Sequence, residues 1–185
     1  MSAPIHTVGT IRAIEARFLA TAAPSLMERA GRAAADWALE LLAGRNGPIL
    51  VAVGPGNNGG DALVAARHLK AAGQEVVCVM SSDPGRFPPD AAAAWQAWSA
   101  QGGQTLDEFL PGQWALAIDG LFGIGLKRPL EAHTLEWVDR LSALNCPVLS
   151  LDLPSGLDAD SGRVLGRAVA GHVRQLQLHV AAIRN

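Results

Sequence analysis

The sequence predicts an α/β fold, a three-layer sandwich in which a mostly parallel β-sheet has helices on both faces. Four short apolar runs rich in β-branched residues alternate with stretches whose apolar residues recur at helical spacing, and this alternation is typical of parallel sheets with helical crossovers. Hydrophobic residues make up 49% and charged residues 17% of the 185 residues, which indicates a globular protein and excludes a disordered one. We expect one domain over residues 1–185.

Two helices are predicted before the first strand. Thr10 is positioned to cap a helix whose apolar residues run from Ile11 to Leu19. Ser25 begins a longer helix that continues to about Ala43, and Glu28, three residues after Ser25, completes the pattern of a capping box.

The first strand, Pro48–Val53, leads into the glycine-rich turn Gly54–Asp61, and a helix over Ala62–Lys70 follows. Glycines in such a turn let the backbone approach a ligand closely, and free N–H groups at a helix start attract anions such as phosphate. The spacing matches the G-x-G-x-x-G pattern of dinucleotide-binding folds, whereas the missing Lys-Ser/Thr ending disfavours a P-loop. A tight turn between buried elements is the alternative, but a ligand site is favoured by the polar residues Asn57, Asn58 and Asp61.

The rest of the chain continues the alternation. The predicted segments are a strand over 75–80, a proline-rich loop over 81–89, a helix over 90–101, a strand over 115–118, a helix over 135–144 and a strand over 147–151. Trp95 and Trp98 lie three residues apart on one helix, a spacing that favours core packing over ligand stacking.

Two aspartates, Asp119 and Asp152, directly follow buried strands and precede glycine-bearing turns. A carboxylate at such a place is costly unless it has a partner or a task, although a single one could cap the next helix. Because ligands bind beyond the carboxyl ends of parallel strands, we expect both aspartates to share a pocket with the turn Gly54–Asp61.

A set of motifs in a fixed order carries a resemblance to a known family. The motifs are Leu26-Met27-Glu28-Arg29-Ala30-Gly31, then Gly54-Pro55-Gly56-Asn57-Asn58-Gly59-Gly60-Asp61 with Ala65, Arg67, His68 and Leu69, then Asp119 with Phe122-Gly123-Ile124-Gly125, and then Asp152-Leu153-Pro154-Ser155-Gly156-Leu157-Asp158. From about Ile11 to Gly162 the chain resembles the N-terminal domain of the YjeF family, the NAD(P)H-hydrate epimerases.

The resemblance implies a Rossmann-like fold and an isomerase of nicotinamide cofactor repair. Such an enzyme interconverts the R and S forms of hydrated NADH and NADPH (NADHX and NADPHX), which carry a hydroxyl at C6 of the reduced nicotinamide ring. The implied substrate-binding residues are Asn57, Asn58, Gly59, Gly60, Asp61, Gly123, Ile124, Gly125, Leu126, Lys127, Arg128, Pro129 and Asp152. One potassium ion is implied on Asn58, Asp119 and Ser155, whose side chains all offer hard oxygen ligands.

The expected reaction requires proton transfer near a developing cation. The ring nitrogen can expel the C6 hydroxyl as water, and water returning to the other face inverts the centre, which needs an acid, a base and nearby negative charge. We assign this catalytic role to Asp152, with Asp61 as the second candidate, and expect Lys127 to contact a phosphate or ribose.

The chain departs from the family pattern at two places. Ala62 stands where a glycine is usual, and about residues 163–185 the usual terminal strands are not recognisable. The end is rich in arginine and lacks acidic residues, which predicts a truncated or poorly ordered segment, with one edge strand or a binding arm as alternatives. The domain fused in many bacterial relatives, a kinase-like dehydratase, is absent from this sequence.

Two other functions compete with epimerisation. An NAD-dependent dehydrogenase fragment would need an acidic residue at the end of the second strand, where Asp83 is the nearest candidate. A non-catalytic nucleotide-binding or scaffolding module of the same fold is the other alternative.

Charge and cysteine content restrict the partners and the location. A net charge of -2 and the absence of long apolar runs disfavour nucleic acid and membrane partners. Cys78 and Cys146 lie in apolar runs without metal-ligand spacing, so we expect buried free thiols in the cytoplasm. The resemblance also implies a small-molecule substrate, a homodimer and cooperation with a separate NAD(P)HX dehydratase.

Overall fold

The computed structural model describes residues 6–19, 23–109, 112–170 and 173–176. Its strands are β1 (Ile49–Val53), β2 (Val76–Met80), β3 (Gln104–Leu106), β4 (Leu116–Gly120), β5 (Val148–Leu151) and β6 (Val173–Leu176). Its α-helices are α1 (Val8–Leu19), α2 (Leu26–Leu41), α3 (Asn57–Ala71), α4 (Pro89–Ala100) and α5 (Ala132–Ser142), with a short 3-10 helix at Pro84–Arg86. None of the helices in the described part of the chain combines the length and the hydropathy needed to cross a bilayer.

The strands form one sheet in the order β3-β2-β1-β4-β5-β6, and all five pairings are parallel. Successive side chains of β1 enter opposite layers: Ile49 packs with helices α2, α3 and α4, whereas Leu50 packs with α5. Every residue of β1 is therefore buried, which explains its uninterrupted apolar run. The predicted three-layer α/β fold is confirmed.

The tryptophans and cysteines that the sequence predicts to be buried lie in the core. Trp98 is completely buried and Trp95 packs against the same cluster. Cys78 and Cys146 are buried free thiols, and burial raises the pKa of both.

The helix starts differ in part from the predicted ones. The first helix begins at Val8, and the hydroxyl of Thr7 accepts a hydrogen bond from the amide of Thr10 at 3.3 Å. Thr7 therefore occupies the capping position that the sequence suggested for Thr10. Ser25 caps α2 as predicted, since its hydroxyl accepts from the amide of Glu28 at 3.2 Å.

Helix α3 begins at Asn57, inside the glycine-rich turn and five residues before the predicted start at Ala62. Its first turn therefore carries Asn57 and Asn58, and Asp61 follows as the fifth residue of the helix. This placement aims the free N–H groups of the helix start at the same edge of the sheet.

The edge strand β3 was not assigned from the sequence, and the other edge strand, β6, lies where the sequence offered an edge strand as an alternative. The short strand β3 has one exposed and two half-buried residues, so its apolar signal is weak. At the other edge β6 pairs with β5, with Val148 opposite Val173 and Leu151 opposite Leu176. The sequence predicted a truncated or poorly ordered segment over about residues 163–185. Residues 163–170 and 173–176 of it are described, whereas 171–172 and 177–185 lie outside the described residues.

Candidate functional site

A cavity of about 880 Å³ lies at the carboxyl ends of β1, β4 and β5. The strands β1 and β4 are neighbours in register, with Val53 opposite Gly120, whereas the chain leaves β1 toward β2 on the other side. The order therefore reverses between β1 and β4, and such a switch point opens a crevice above the sheet.

Most of the residues assigned to substrate from the sequence surround this cavity. Those that line it are Asn57, Asn58, Asp61, Gly123, Ile124, Gly125, Leu126, Lys127, Arg128 and Asp152. Gly59, Gly60 and Pro129 are not among the lining residues. The structure thus brings three separate turns of the chain to one site, as expected from the ends of the strands.

Packing explains the glycines that do not line the cavity. A Cβ atom on Gly59 would collide with the backbone carbonyl oxygen of Gly54, and one on Gly60 would lie 2.6 Å from Cε of Met27. A Cβ atom on Gly54 would in turn overlap the backbone of Leu121. Gly54 and Gly59 thus let the turn after β4 and α3 pack closely against the end of β1, and Gly60 lets α3 pack closely against α2.

Asp152 is held in an unusual backbone conformation at the end of β5. Its φ is 63°, in the left-handed region that a non-glycine residue adopts at a cost of about 1–3 kcal/mol. The side chain is only 6% exposed and lines the cavity. A Cβ atom on Gly123 would collide with Oδ2 of Asp152 and lie 3.1 Å from Oδ1 of Asn58, so Gly123 marks where these two side chains meet.

Asn58 has a buried side-chain amide that no described residue satisfies. The residue is 8% exposed, and neither its amide oxygen nor its amide nitrogen has a hydrogen-bond partner in the described part of the chain. A buried, unpaired amide costs about 1–3 kcal/mol, so Asn58 offers an unused donor and an unused acceptor at the cavity wall.

Asp119 and Ser155 form a hydrogen-bonded network below the cavity wall. Both are fully buried, and Asp119 accepts hydrogen bonds from the Ser155 hydroxyl at 2.6 Å and the Ser155 amide at 2.9 Å. The Ser150 hydroxyl and the Leu121 amide donate to the same carboxylate. Burial raises the pKa of Asp119, and these hydrogen bonds oppose the shift.

The Ser155 hydroxyl connects this network to the cavity. It accepts a hydrogen bond from the amide of Phe122 at 2.9 Å and lies 3.2 Å from the Phe122 carbonyl oxygen. Phe122 lines the cavity and directly precedes Gly123. The predicted metal ligands are therefore grouped around one segment, with Asn58 on the wall and the other two behind it.

Lys127 is tied to acidic residues of the last turn. Its ammonium group lies 2.8 Å from Asp160 and 3.4 Å from Asp158. Hydrogen bonding to Asp160 raises the pKa of Lys127. The other oxygen of the Asp160 carboxylate accepts the backbone amide of Val8 at 2.8 Å, which fixes the first turn of α1 beside the cavity.

Several lining residues were not identified as site residues from the sequence. They come from three helices and from the turn after β4: Arg12, Glu15, Leu26, Met27, Ala30, Pro88, Asp90, Leu121 and Phe122. Leu26, Met27 and Ala30 belong to a motif quoted for the resemblance, and that motif was the available signal. No local pattern marks Arg12, Glu15 or Asp90, because only the tertiary fold brings α1 and α4 to this edge.

Asp83, the acidic residue nearest to the end of β2, has a local structural role. Its carboxylate accepts a hydrogen bond from the amide of Gly85 at 2.8 Å and caps the 3-10 helix. Since Asp83 does not line the cavity, the ribose contact of a dehydrogenase has no support at this position.

Comparison with known proteins identifies relatives over most of the chain. Residues 23–174 match the family model described as YjeF-related protein N-terminus. An NAD(P)H-hydrate epimerase of Bordetella pertussis (strain Tohama I) is 50% identical over 163 residues, which cover 88% of this chain and 70% of the relative. The NAD(P)H-hydrate epimerase of Achromobacter xylosoxidans is 49% identical over 171 residues, covering 90% and 79% of the two chains.

More distant similarities extend to a longer protein and to a solved structure. The bifunctional NAD(P)H-hydrate repair enzyme of Leishmania braziliensis is 39% identical over 150 residues, which are 78% of this chain but 27% of that protein. The crystal structure of yeast YNL200c superposes with a TM-score of 0.77 at 24% identity, covering 90% of this chain and 77% of the yeast chain. The structural match supports the fold.

Proposed function

The chain belongs to the YjeF-related N-terminal family, and from this membership we infer that it is an NAD(P)H-hydrate epimerase, an isomerase of nicotinamide cofactor repair. The observation that carries the assignment is about 50% identity to named epimerases over most of both chains. The cavity at the switch point supports it, because this is where parallel sheets of the type bind dinucleotides.

The reaction itself is the first measurement to make. Purified (R)-NADHX is incubated with the chain, and the approach to the epimeric mixture is followed by chromatography with and without potassium. Conversion faster than the spontaneous rate supports the assignment. A folded protein that gives no acceleration contradicts it, and favours a nucleotide-binding or scaffolding module of the same fold.

We propose that Asp152 transfers the protons of this reaction. Its carboxyl group would protonate the C6 hydroxyl as the C6–O bond breaks, so that water leaves and the ring nitrogen forms a double bond to C6. Water adding to the opposite face would then lose a proton to a carboxylate, which restores the charge balance. Asp61, which also lines the cavity, is the second candidate for either transfer.

The buried position of Asp152 suits this role. A buried carboxylate stabilises an iminium-like ring beside it more strongly than a carboxylate in water does, because the surrounding dielectric constant is lower. The missing side chain of Gly123 leaves the space that Oδ2 of Asp152 occupies at the cavity wall. The strained backbone of Asp152 is of the kind that clusters at functional sites, which supports the assignment.

We also propose that Asn58, Asp119 and Ser155 together hold a potassium ion. The three side chains offer an amide oxygen, a carboxylate and a hydroxyl, which suit a hard cation, and the unsatisfied amide of Asn58 fits a missing ligand. When bound, the ion would supply positive charge that orders the turn after β4. Asp119 and Ser155 already bind each other, so the ion would share their oxygens.

Thermal unfolding tests this site without any activity assay. We expect potassium chloride to raise the Tm of the wild-type chain above its value in sodium chloride at equal ionic strength. Asn58→Leu removes the unsatisfied amide, so it should lose the potassium-specific increase while keeping a stable fold. An equal potassium effect in both chains would contradict a role of Asn58 in holding the ion.

Partners and location remain predictions. We propose that a separate NAD(P)HX dehydratase acts with this epimerase, since a related chain in Leishmania braziliensis is named as a bifunctional repair enzyme. The homodimer and the cytoplasmic location stay expectations from the sequence. Light scattering coupled to gel filtration measures the first directly, and a dimer would give twice the 19.3 kDa chain mass.

A further inference from the structure

The wall of the cavity changes its charge along the turn after β4. At the start of the turn, Gly123 faces the carboxylate of Asp152 and the amide of Asn58. Further along, the turn carries Lys127 and Arg128. Across from Gly125 stands Arg12 of α1, whose Nη2 atom lies 3.5 Å from the position that a Cβ on Gly125 would take.

The cationic side chains that line the cavity differ in whether a neighbouring carboxylate already pairs with them. Lys127 is paired with Asp158 and Asp160, whereas Arg128 is 84% exposed and lies 4.0 Å from Glu131. Arg12 forms no ion pair with another residue in the described ranges. A ligand therefore has no carboxylate in these ranges to displace from the Arg12 guanidinium.

We propose that Arg12 binds the pyrophosphate of the dinucleotide substrate. This inference rests on the proposed epimerase function, because a hydrated dinucleotide has its reactive ring at one end and its phosphates in the middle. With the ring beside Asp152 and Gly123, the phosphates avoid that carboxylate and lie toward Gly125. A guanidinium fork matches two phosphate oxygens, and the bare backbone at Gly125 permits their close approach.

Carboxylates on the neighbouring elements limit where the phosphates can lie. Glu15 follows Arg12 by three residues on α1, and Asp90 lines the cavity from the first turn of α4. The carboxylate of Asp90 disfavours an anion beside it, whereas Glu15 and Asp61 already have interaction partners of their own. Because Arg12 lies beside the Cβ position of Gly125, it favours the side of the cavity formed by the turn after β4.

Arg12 lies in a helix that precedes the part of the chain matched by the family model, which begins at residue 23. The hydrogen bond from the Val8 amide to Asp160 positions this helix. The proposed contact is thus provided by a helix that precedes the matched range, and Asp160, within that range, holds this helix in place.

Calorimetric titration with ADP-ribose tests the contact separately from the chemistry, since ADP-ribose has the pyrophosphate and lacks the nicotinamide. The variants are Arg12→Gln, Arg12→Lys and, as a matched control on the same helix, Arg17→Gln, which is exposed and does not line the cavity. Arg12→Gln should weaken ADP-ribose binding about tenfold or more. Arg12→Lys should recover part of the loss, because it keeps the charge without the fork.

The epimerase assay supplies the second measurement. Arg12→Gln should raise KM for (R)-NADHX about tenfold while changing kcat less, because the guanidinium is remote from C6. Equal ADP-ribose affinities for Arg12→Gln and Arg17→Gln overturn the proposal, as does a wild-type chain that does not bind ADP-ribose. A wild-type chain that binds ADP-ribose without epimerising NADHX overturns the proposed function, and the binding comparison still decides the role of Arg12.

Discussion

At the scale of single residues, Asp152 is the residue on which the proposed chemistry depends most. It is buried, it has a φ of 63°, and its Oδ2 atom occupies the space that any side chain at Gly123 would need. That Asp152 belongs to a site could be predicted from the sequence, because a carboxylate directly after a buried strand is costly unless it has a partner or a functional role. Its backbone conformation could not, since φ depends on the packing of the turns that surround it.

Asp152→Asn is expected to lower kcat by about 10²- to 10⁴-fold, the usual contribution of a positioned acid or base. Asparagine has the same size and tolerates the left-handed region, so the variant should remain folded. The rate is measured by chromatography on (R)-NADHX at saturating substrate, with circular dichroism as a check of folding.

Asp139→Asn is the matched control, because Asp139 pairs with Arg167 on the surface of α5 and does not line the cavity. It should epimerise at the wild-type rate. A folded Asp152→Asn variant with full activity would remove Asp152 from the proton transfers and leave Asp61 as the remaining candidate.

At the scale of elements, an ion-pair cluster joins α2 to α3. Glu28 accepts hydrogen bonds from Arg67 at 2.5 Å and lies 2.8 Å from Nε2 of His68. Glu28 was predicted as the second half of a capping box, but only its backbone amide takes part in the cap. Its carboxylate binds the neighbouring helix, a contact that no pattern within α2 could reveal.

Because of this cluster, the stability of the protein should decrease as the pH becomes acidic. Burial alone would raise the pKa of Glu28, but the hydrogen bonds and charges of Arg67 and His68 lower it below the ordinary value of 4.5. The stabilisation is therefore present above that ordinary value, and it is lost as the pH falls through the lowered pKa.

Glu28→Gln should reduce the free energy of unfolding by about 1 kcal/mol near neutral pH, because the pair is partly exposed. Urea unfolding at neutral and at acid pH should show the wild type losing more stability than the variant, so that their values converge in acid. Glu40→Gln, an exposed position on the same helix, should follow the wild type at both pH values. Parallel losses in wild type and Glu28→Gln would contradict the assigned pKa shift.

At the scale of the whole molecule, the sequence predicts best what the sheet buries on both faces. The runs that became β1, β2, β4 and β5 are continuous and apolar because each strand has helices above and below. The edge strand β3 escaped prediction and β6 was foreseen only as an alternative, since an edge strand has fewer buried positions and so a weaker pattern. The cavity was predicted in part, because residues after strands share an edge by topology, whereas those of α1 and α4 reach it only through packing.

Asp160 connects the cavity to the beginning of the chain. One oxygen of its carboxylate accepts the amide proton of Val8, and the other pairs with Lys127. An anion held by Lys127 would compete with the Asp160 carboxylate for the ammonium group and so loosen the first turn of α1. The exchange of the Val8 amide proton with heavy water would then report, at one atom, whether the cavity is filled, without a chromophore or a coupled enzyme.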